Sequence, residues 1–367
     1  MCKPSILMKI LDRYIAKTLL FYTLGVLVVW IGIYAFFNFI NEVKFIGQSD
    51  YTILSAIIYI VSDLPAVIYS HSSVVILLGC LLALGHLAET SQLVIVRGGG
   101  ISIMQVAKIV IRSAIFFIAI IIFIGEIVAP TTTEYAENFR AKALGSNISA
   151  VNQQGFWIKD GNSIINVKNN FGGNVFGDIT LIKLNKTNQL DSVIYSKKSI
   201  FDGKNLDFEN TVGYKLNDDK KITNIQSEKY QKYNTQVSFD QELIDSLKKE
   251  PHELSTWSLY KQISFLTNNN LTAKAFEVEL YKRIMKPITL IAMLLFSMLF
   301  IFGSLRGSSL GKKIFLGVMI SLFFELASRL GGMLSLRFDY NPLLSASMPT
   351  AIVLVVAFIL LRRKSAR

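Results

Sequence analysis

Apolar residues are concentrated in six long runs, three near each end of the chain. The predicted membrane spans cover residues 18–40, 64–85, 101–129, 285–305, 312–334 and 345–361. A helix needs about 20 apolar residues to cross the hydrocarbon core of a bilayer, and each run comes close to that length. Asp63 and Pro65 interrupt the second run, which begins at residue 53, and Pro130 ends the third. The pattern predicts an α-helical integral membrane protein with six transmembrane helices.

The segment between the third and fourth spans, residues 131–283, has a different pattern. It is rich in Asn, Lys, Asp and Gly, and it contains three strand-like runs, SIINV (163–167), DITLIKL (178–184) and SVIYS (192–196). Pairs of turn-forming residues separate these runs: Asp160-Gly161, Gly172-Gly173 and Asp202-Gly203. We therefore expect an inserted all-β domain, sandwich- or jelly-roll-like, followed by a helical return to the membrane over residues 240–283.

Basic residues flank the spans in four groups. The groups are Lys3, Lys9, Arg13 and Lys17; Arg97, Lys108 and Arg112; Arg306, Lys312 and Lys313; and Arg362, Arg363, Lys364 and Arg367. With six spans all four groups fall on one side, which the positive-inside rule makes cytoplasmic. Both termini are then expected in the cytoplasm and the β-domain outside. The expected division is an amphipathic interfacial helix (1–17), spans one to three (18–130), the β-domain with its helical return (131–283), and spans four to six with a basic tail (284–367).

The composition agrees with a membrane protein. The chain is 51% hydrophobic and 17% charged, whereas soluble chains carry about a quarter charged residues. The net charge of +12 does not indicate nucleic acid binding, because much of the basic excess flanks apolar runs. Two cysteines, Cys2 and Cys80, and three scattered histidines offer neither a disulfide framework nor zinc-ligand spacing. The first apolar run is too long for a cleavable signal peptide, so we expect it to be retained.

A glycine triplet, Gly98–Gly100, follows an apolar stretch and raises the question of a nucleotide site. A phosphate-binding loop needs GxxxxGK followed by Ser or Thr, and no lysine follows this triplet. The nearest match elsewhere, GSSLGKK at 307–313, has one residue too few between its glycines and lacks the hydroxyl. No dinucleotide fingerprint and no nucleophile motif occurs either. We therefore expect no nucleotide or other cofactor in this chain and no enzyme active site.

Ionisable residues inside the spans are candidates for function. Glu325 and Arg329 are spaced i, i+4 and can neutralise each other. His71 could relay protons or bond to a neighbouring helix, and Asp63 and Glu126 lie near span ends. No two of these residues form an obvious relay in sequence.

The connector before the glycines, residues 87–97, is predicted to be an amphipathic helix. Glu89, Gln92, Leu93 and Val96 fall on one face, and Leu87, Ser91, Val94 and Ile95 fall on the other. We expect the second face to pack on the membrane helices. The first face suits docking into a groove of a protein partner, although an ordinary amphipathic connector would show the same pattern. The glycines would end the helix and allow a tight turn.

Several segments together resemble the lipopolysaccharide export permeases of the LptF/LptG family, and the LptG-type subunits more than the LptF-type. They are LDRYIAKT (11–18), SQLVIVRGGGIS (91–102), VAPTTTEYAENFRAKAL (128–144), QQGFWIKDGN (153–162) and FIFGSLR (300–306). The resemblance covers nearly the whole chain and rests on the order and spacing of these segments.

The resemblance implies a permease subunit that forms a heterodimer with an LptF-type sister. An LptB-type ATPase dimer, which binds ATP and Mg, would dock on the coupling helix at about 86–98. An LptC-type single-span subunit and a periplasmic bridge protein would complete the route. The machine would extract lipopolysaccharide from the inner membrane and pass it toward the outer membrane.

The resemblance also suggests site residues. The expected ATPase-coupling face comprises Glu89, Gln92, Leu93, Val96 and Arg97, with Gln92 standing where the family usually has glutamate. The family lines its lipid cavity with basic residues, and Lys44 and Arg140 match such positions, whereas Asn38, Phe45 and Glu137 replace basic ones. Lys282, Arg283 and Lys286 join the candidates for the lipid head group, because they are basic residues on the outer side. Spans one and five would hold the acyl chains.

Two other functions fit parts of the sequence. A self-contained secondary carrier would need internal repeats and a buried ionisable relay near the middle of the membrane. A receptor or scaffold would bind a ligand through its outer β-domain without any dependence on cytoplasmic ATP. Docking of an ATPase on the coupling helix would distinguish the transporter permease from both alternatives.

Overall fold

Six helices are long and apolar enough to cross a membrane, as the sequence predicts. The structure is a computed structural model that describes residues 4–145, 155–170, 174–185, 187, 189–219, 222–246, 249–302 and 309–365. Its contacts divide the chain into a membrane unit (1–44, 56–136 and 274–367) and a β unit (45–55 and 137–273). The β unit lies within the predicted segment 131–283, except for residues 45–55, which follow the first helix.

The helices occur in the following order. They are α1 (Pro4–Val43), α2 (Ile53–Glu89), α3 (Gln92–Gly98), α4 (Ile103–Phe123), a π-helical turn (Ile124–Val128), α5 (Ala129–Ala143), α6 (Gln241–Ser246), a 3-10 turn (Pro251–Glu253), α7 (Thr256–Asn268), α8 (Lys274–Ile301), α9 (Leu310–Phe338) and α10 (Pro342–Ser365). The glycine-containing segment 303–308, with Arg306 and part of the FIFGSLR motif, lies outside the described residues. So do Cys2, Lys3, Gly172-Gly173 and Arg367.

Helix α1 does not break at residue 17, so the predicted interfacial helix and the first span form one helix. No glycine or second proline occurs between Pro4 and Gly25 to interrupt it. Near its beginning the Asp12 carboxylate pairs with Arg112 of α4. This ion pair neutralises a carboxylate that is largely buried on α1.

Helix α2 continues through Pro65, and the predicted interruption at residues 63–65 is wrong. Asp63 is accommodated inside the helix because neighbouring helices supply donors. The Tyr34 hydroxyl donates to Asp63 Oδ2 over 3.1 Å, and the Thr133 hydroxyl donates to Oδ1 over 3.4 Å. Proline is tolerated in membrane helices where neighbouring groups satisfy the freed backbone.

The third span also runs past its predicted end, because the helix continues through Pro130 into α5. The π-helical turn Ile124–Val128 lies immediately before the proline. Proline removes one backbone donor and clashes with the carbonyl four residues earlier. A widened turn at that point relieves the clash, so the helix continues past the proline.

Helix α2 lies at the centre of the membrane unit. In its apolar stretch 67% of the residues are buried, against 11% in α1 and 11% in α9. The core joins α2, α4 and α8, and it includes Leu77, Leu81, Leu84, Val106, Val110, Leu290, Met293 and Met298. Helices α1 and α9 therefore present most of their apolar surface outward, where lipid or another apolar surface must cover it.

The inserted segment contains the expected sheet, over residues 156–236, although α5 occupies residues 131–143 at its predicted start. Its strands are β1 (Phe156–Asp160), β2 (Ser163–Asn170), β3 (Val175–Leu184), β4 (Leu190–Phe201), β5 (Asn205–Asp219) and β6 (Ile222–Gln236). They form one antiparallel sheet in sequential order. Gly161 and Gly203 have positive φ at the β1–β2 and β4–β5 turns, where the sequence predicts hairpins.

The topology differs in one respect from a sandwich or jelly roll, because every described strand pairs with the next strand in sequence. No Greek-key crossing occurs among the described strands. The sheet buries one apolar face, with Ile158, Ile165, Phe176, Ile179, Leu181, Phe201 and Phe208 at its centre. Phe239, Leu243 and Ile244 extend this core toward α6, so the helix closes part of the sheet.

Candidate functional sites

A sharp turn separates the end of α2 from the short helix α3. Helix α2 ends at Glu89, and Ser91 adopts a left-handed conformation with φ 59 before α3 begins at Gln92. At the other end Gly100 has φ 84, a conformation that favours glycine. Ser102 then caps α4 through a capping box with Gln105. The glycines therefore form a turn between two helices, as the sequence indicates.

The predicted faces of the connector are wrong, because residues 87–97 do not form one helix. Leu93 is only 4% exposed, and Val96 packs against the membrane core. Val94 and Ile95, which were expected to pack inward, are 47% and 72% exposed. The left-handed Ser91 changes the helical phase, so a single 3.6-residue period across the turn assigns the wrong residues to each face. Leu87, which precedes the turn, is buried as predicted.

The other residues of the expected coupling face lie in different environments. Arg97 is exposed in the last turn of α3. Gln92 is half-buried, and within the described part of the chain its buried Oε1 atom has no hydrogen-bond donor. A buried amide oxygen without a donor is unfavourable. Because that oxygen is buried, it is not part of the outer surface of α3.

Glu89 is engaged by a lysine that the sequence places at the flank of a span. Lys313, in the first turn of α9, is buried with its side chain 2% exposed. Its Nζ atom lies 2.5 Å from Glu89 Oε1 and 3.5 Å from the carbonyl oxygen of Gly85. The sequence gives no signal for this pair, since 224 residues separate its members.

A second buried ion pair lies between the π-helical turn and α8. Arg283, whose side chain is 5% exposed, places its guanidinium 3.7 Å from Glu126 and 3.6 Å from Glu279. Beside this group the Tyr69 ring occupies the space where a side chain on Gly125 would lie. Arg283 was a candidate for head-group contact, but its charge is balanced by two carboxylates of the same unit.

The two neighbouring lysines of α8 have a different environment. Lys286 donates to the carbonyl oxygen of Ser70 over 3.2 Å and lies above the Tyr69 ring. Lys282 is half-buried and runs toward Gly332 of α9. Within the described part of the chain no carboxylate lies within ion-pair distance of either lysine. These two cations are therefore better placed than Arg283 to meet an anion.

Lys44 and Arg140 belong to different units. Lys44 is exposed one residue after the end of α1. Arg140 is half-buried in the β unit, and its guanidinium lies 4.6 Å from the centroid of the Phe45 ring. Phe45, which replaces a basic residue in the expected pattern, supports Arg140 by a cation–π contact.

The remaining ionisable residues make local contacts. Glu325 and Arg329 form the predicted i, i+4 pair at 2.9 Å. His71 Nδ1 lies 3.1 Å from the Val67 carbonyl oxygen, and the ring packs between Trp30 and Tyr34. Within the described ranges, no three His, Cys, Asp or Glu side chains come together as metal ligands.

The family model for the lipopolysaccharide export system permease LptF/LptG matches residues 13–363. The chain belongs to this family. It is 29% identical to LptG from Escherichia coli K12 over 358 aligned residues. The aligned region covers 97% of this chain and 99% of that protein. It is 27% identical over 361 residues to LptG from Haemophilus influenzae, covering 96% and 98%. These relatives place it with the LptG-type permeases, and its six spans make it a multi-pass membrane protein.

Proposed function

We propose that this chain is the permease subunit of an ATP-driven transporter that extracts lipopolysaccharide from the inner membrane and passes it to a periplasmic bridge. One observation supports the proposal most directly. A short helix between two spans is fixed in the membrane core by Leu93 and turns Val94 and Ile95 outward. An apolar ridge on a rigid base is suited to a groove in a soluble ATPase.

The polar residues around the ridge complete the proposed docking surface. Gln92 carries a buried oxygen that lacks a donor within the described part of the chain. The amide is neutral, so a contact that it makes with an ATPase lacks the charge that the family's glutamate would supply. Arg97 is exposed at the end of α3 and adds a cation to the rim. The Glu89 carboxylate pairs with Lys313 of α9, so we leave Glu89 out of the docking surface.

The charge distribution supports a defined orientation. We propose that α3, both termini and the segment between α8 and α9 lie in the cytoplasm, because the four basic groups of the sequence flank them. The β unit then lies in the periplasm, on the route of the exported lipid. We propose an LptF-type sister subunit, an LptB-type ATPase dimer, an LptC-type single-span subunit and a bridge protein as partners. In this scheme ATP and Mg are bound by the ATPase.

The substrate is held by cations and apolar surface on the outer side. Lys44, Arg140, Lys282 and Lys286 are the proposed contacts for the phosphates of lipopolysaccharide. We assign Arg283 to packing between helices, because two carboxylates already balance its charge. The outward apolar faces of α1 and α9 are the proposed surfaces for acyl chains.

Charge substitutions on the ridge test the proposed function. Ile95→Asp places a carboxylate in an apolar groove and should lower ATPase affinity at least about thirtyfold, as expected for a hot-spot residue. The measurement is co-purification of the ATPase with the membrane subunits, together with ATP-driven lipid release.

Ser91→Asp is the matched control, because it adds the same charge at a nearby exposed position. The backbone of Ser91 is in the left-handed region, which aspartate tolerates. It should retain the ATPase. If Ile95→Asp binds the ATPase as well as the unaltered chain does, α3 is not the docking helix. Lipid movement by this chain alone, without ATP, would instead favour a secondary carrier.

A further inference from the structure

Lys313 of α9 pairs with Glu89, the last residue of α2, which precedes the proposed docking helix α3 in sequence. We infer that Lys313 is a positioning residue, which makes the first turns of α9 follow any displacement of α3. The inference rests on the proposed docking of an ATPase at α3. It adds a route by which that docking reaches the surface proposed for the acyl chains.

The lysine side of this contact is buried, whereas the glutamate side is half-exposed. Lys313 contributes a fully buried cation, and its Nζ lies 2.5 Å from Glu89 Oε1. Glu89 is the last residue of α2, and only Thr90 and Ser91 separate it from the first residue of α3. The carboxylate that neutralises the lysine therefore lies directly beside the proposed docking helix.

Close packing between α2 and α9 surrounds the ion pair. A Cβ atom on Gly85 would lie 3.0–3.3 Å from the Cδ, Nζ and Cε atoms of Lys313. One helical turn further along α9, a Cβ atom on Gly317 would lie 2.5 Å from Leu78 Cδ2. Because Gly85 and Gly317 have no side chains, α9 can approach α2 closely. Little space then remains for the Lys313 side chain to adopt another conformation.

The physical cost of separating the pair explains the coupling. A buried cation loses its hydration, and Glu89 is the only carboxylate that pairs with Lys313 among the described residues, so its removal leaves the charge uncompensated. If α3 moves and carries Glu89 with it, α9 must shift with Lys313 or lose the pair. Moving the start of α9 changes the position of a helix whose apolar stretch is only 11% buried.

A merely stabilising role explains these features less well. A buried ion pair seldom stabilises a protein more than apolar residues of similar volume would, so it is weak evidence for stability. Lys312, the preceding residue, is exposed and could serve equally well as a basic flanking residue. Lys313 differs from Lys312 in that it is buried and paired with Glu89.

The test compares Lys313→Met with Lys312→Met in the complete transporter, reconstituted in vesicles with lipopolysaccharide. Methionine keeps an unbranched apolar stem and removes the charge, and it leaves only the half-exposed Glu89 without its partner. ATPase co-purification, ATP hydrolysis and lipid release are measured separately. We expect Lys313→Met to keep ATPase binding and to lower the lipid released per ATP hydrolysed by about two- to thirtyfold. Lys312→Met should change neither quantity.

The exchanged pair Glu89→Lys with Lys313→Glu gives a second readout. Each single exchange places like charges together, so partial recovery of the release ratio in the double variant supports coupling through the pair. An unchanged ratio in Lys313→Met overturns the inference. Loss of assembly in Lys313→Met, with no recovery in the exchanged pair, also overturns it and assigns the lysine to folding. Failure of the unaltered chain to bind an ATPase would instead reject the proposed function.

Discussion

The membrane unit and the β unit hold their charged side chains in different ways. Arg283 and Lys313 are the two buried cations among the described residues, and both lie in the membrane unit. Each pairs with a carboxylate from a helix distant in sequence. In the β unit, by contrast, pairs such as Lys198–Glu209 lie on the surface between neighbouring strands.

This difference shows where charge specifies structure. A buried pair brings two particular helices together, because either charge alone would be unfavourable in that place. An exposed pair between strands gains little, since water and salt screen it. The stability of the β unit depends instead on its apolar face. In the membrane unit, apolar packing is joined by ion pairs that determine which helices contact each other.

The largest effect is expected in the apolar core of the β unit. Phe176→Ala removes a ring that is 1% exposed and that packs edge-on against Phe156. We expect a loss of about 3–5 kcal/mol in the free energy of unfolding. The thermal unfolding midpoint of the purified chain should fall by about 10 °C. Trp157→Ala, at a site 63% exposed on the other face of β1, is the control and should change the midpoint far less.

An intermediate effect is expected at the buried pair of the membrane unit. Glu126→Gln removes one of the two carboxylates that pair with Arg283 among the described residues, so the loss should be about 1–3 kcal/mol, measured by thermal unfolding in detergent. Glu277→Gln is the control. Glu277 lies in the first turn of α8, the helix that carries Arg283, and it forms no ion pair among the described residues. Equal effects of the two substitutions would show that the Glu126 contact does not specify the packing.

The smallest effect is expected at the surface of the β unit. Lys198→Met removes an ion pair whose members are 53% and 40% exposed and 3.6 Å apart. The change should be at most about 0.5 kcal/mol and should disappear at high salt. Denaturant unfolding at low and high ionic strength measures it. A loss as large as that in Glu126→Gln would remove the distinction between the units.

Much of the architecture follows from apolar runs. Their length predicts the six spans, and the turn pairs at Asp160-Gly161 and Asp202-Gly203 predict two hairpins that the structure contains. The ends of the helices are less predictable, because Pro65 and Pro130 would stop a helix in isolation. Here a neighbouring tyrosine and threonine satisfy Asp63, and a π-helical turn absorbs the second proline. Those compensations come from tertiary contacts and local geometry that periodicity does not report.

The candidate sites were predicted less completely than the fold. The sequence locates the connector between α2 and α4, but the left-handed Ser91 reverses which residues face outward. The burial of Lys313 could not be predicted, because its partner lies 224 residues away. The basic cluster on α8 does not reveal which member is neutralised, because Glu126, one of the two carboxylates that pair with Arg283, lies on a distant part of the chain. Only the structure separates Arg283 from Lys282 and Lys286.

Photo-crosslinking tests the central claim most directly, namely that this chain carries lipopolysaccharide between its outer cations and apolar faces. A photoreactive residue is placed in turn at positions 44, 140 and 282, with position 312 as the control at the opposite end of the membrane helices. We expect lipopolysaccharide adducts from the first three positions, few from the control, and a decrease when ATP is supplied to the complete transporter. The absence of adducts at all three positions, or equal yield at position 312, would contradict it.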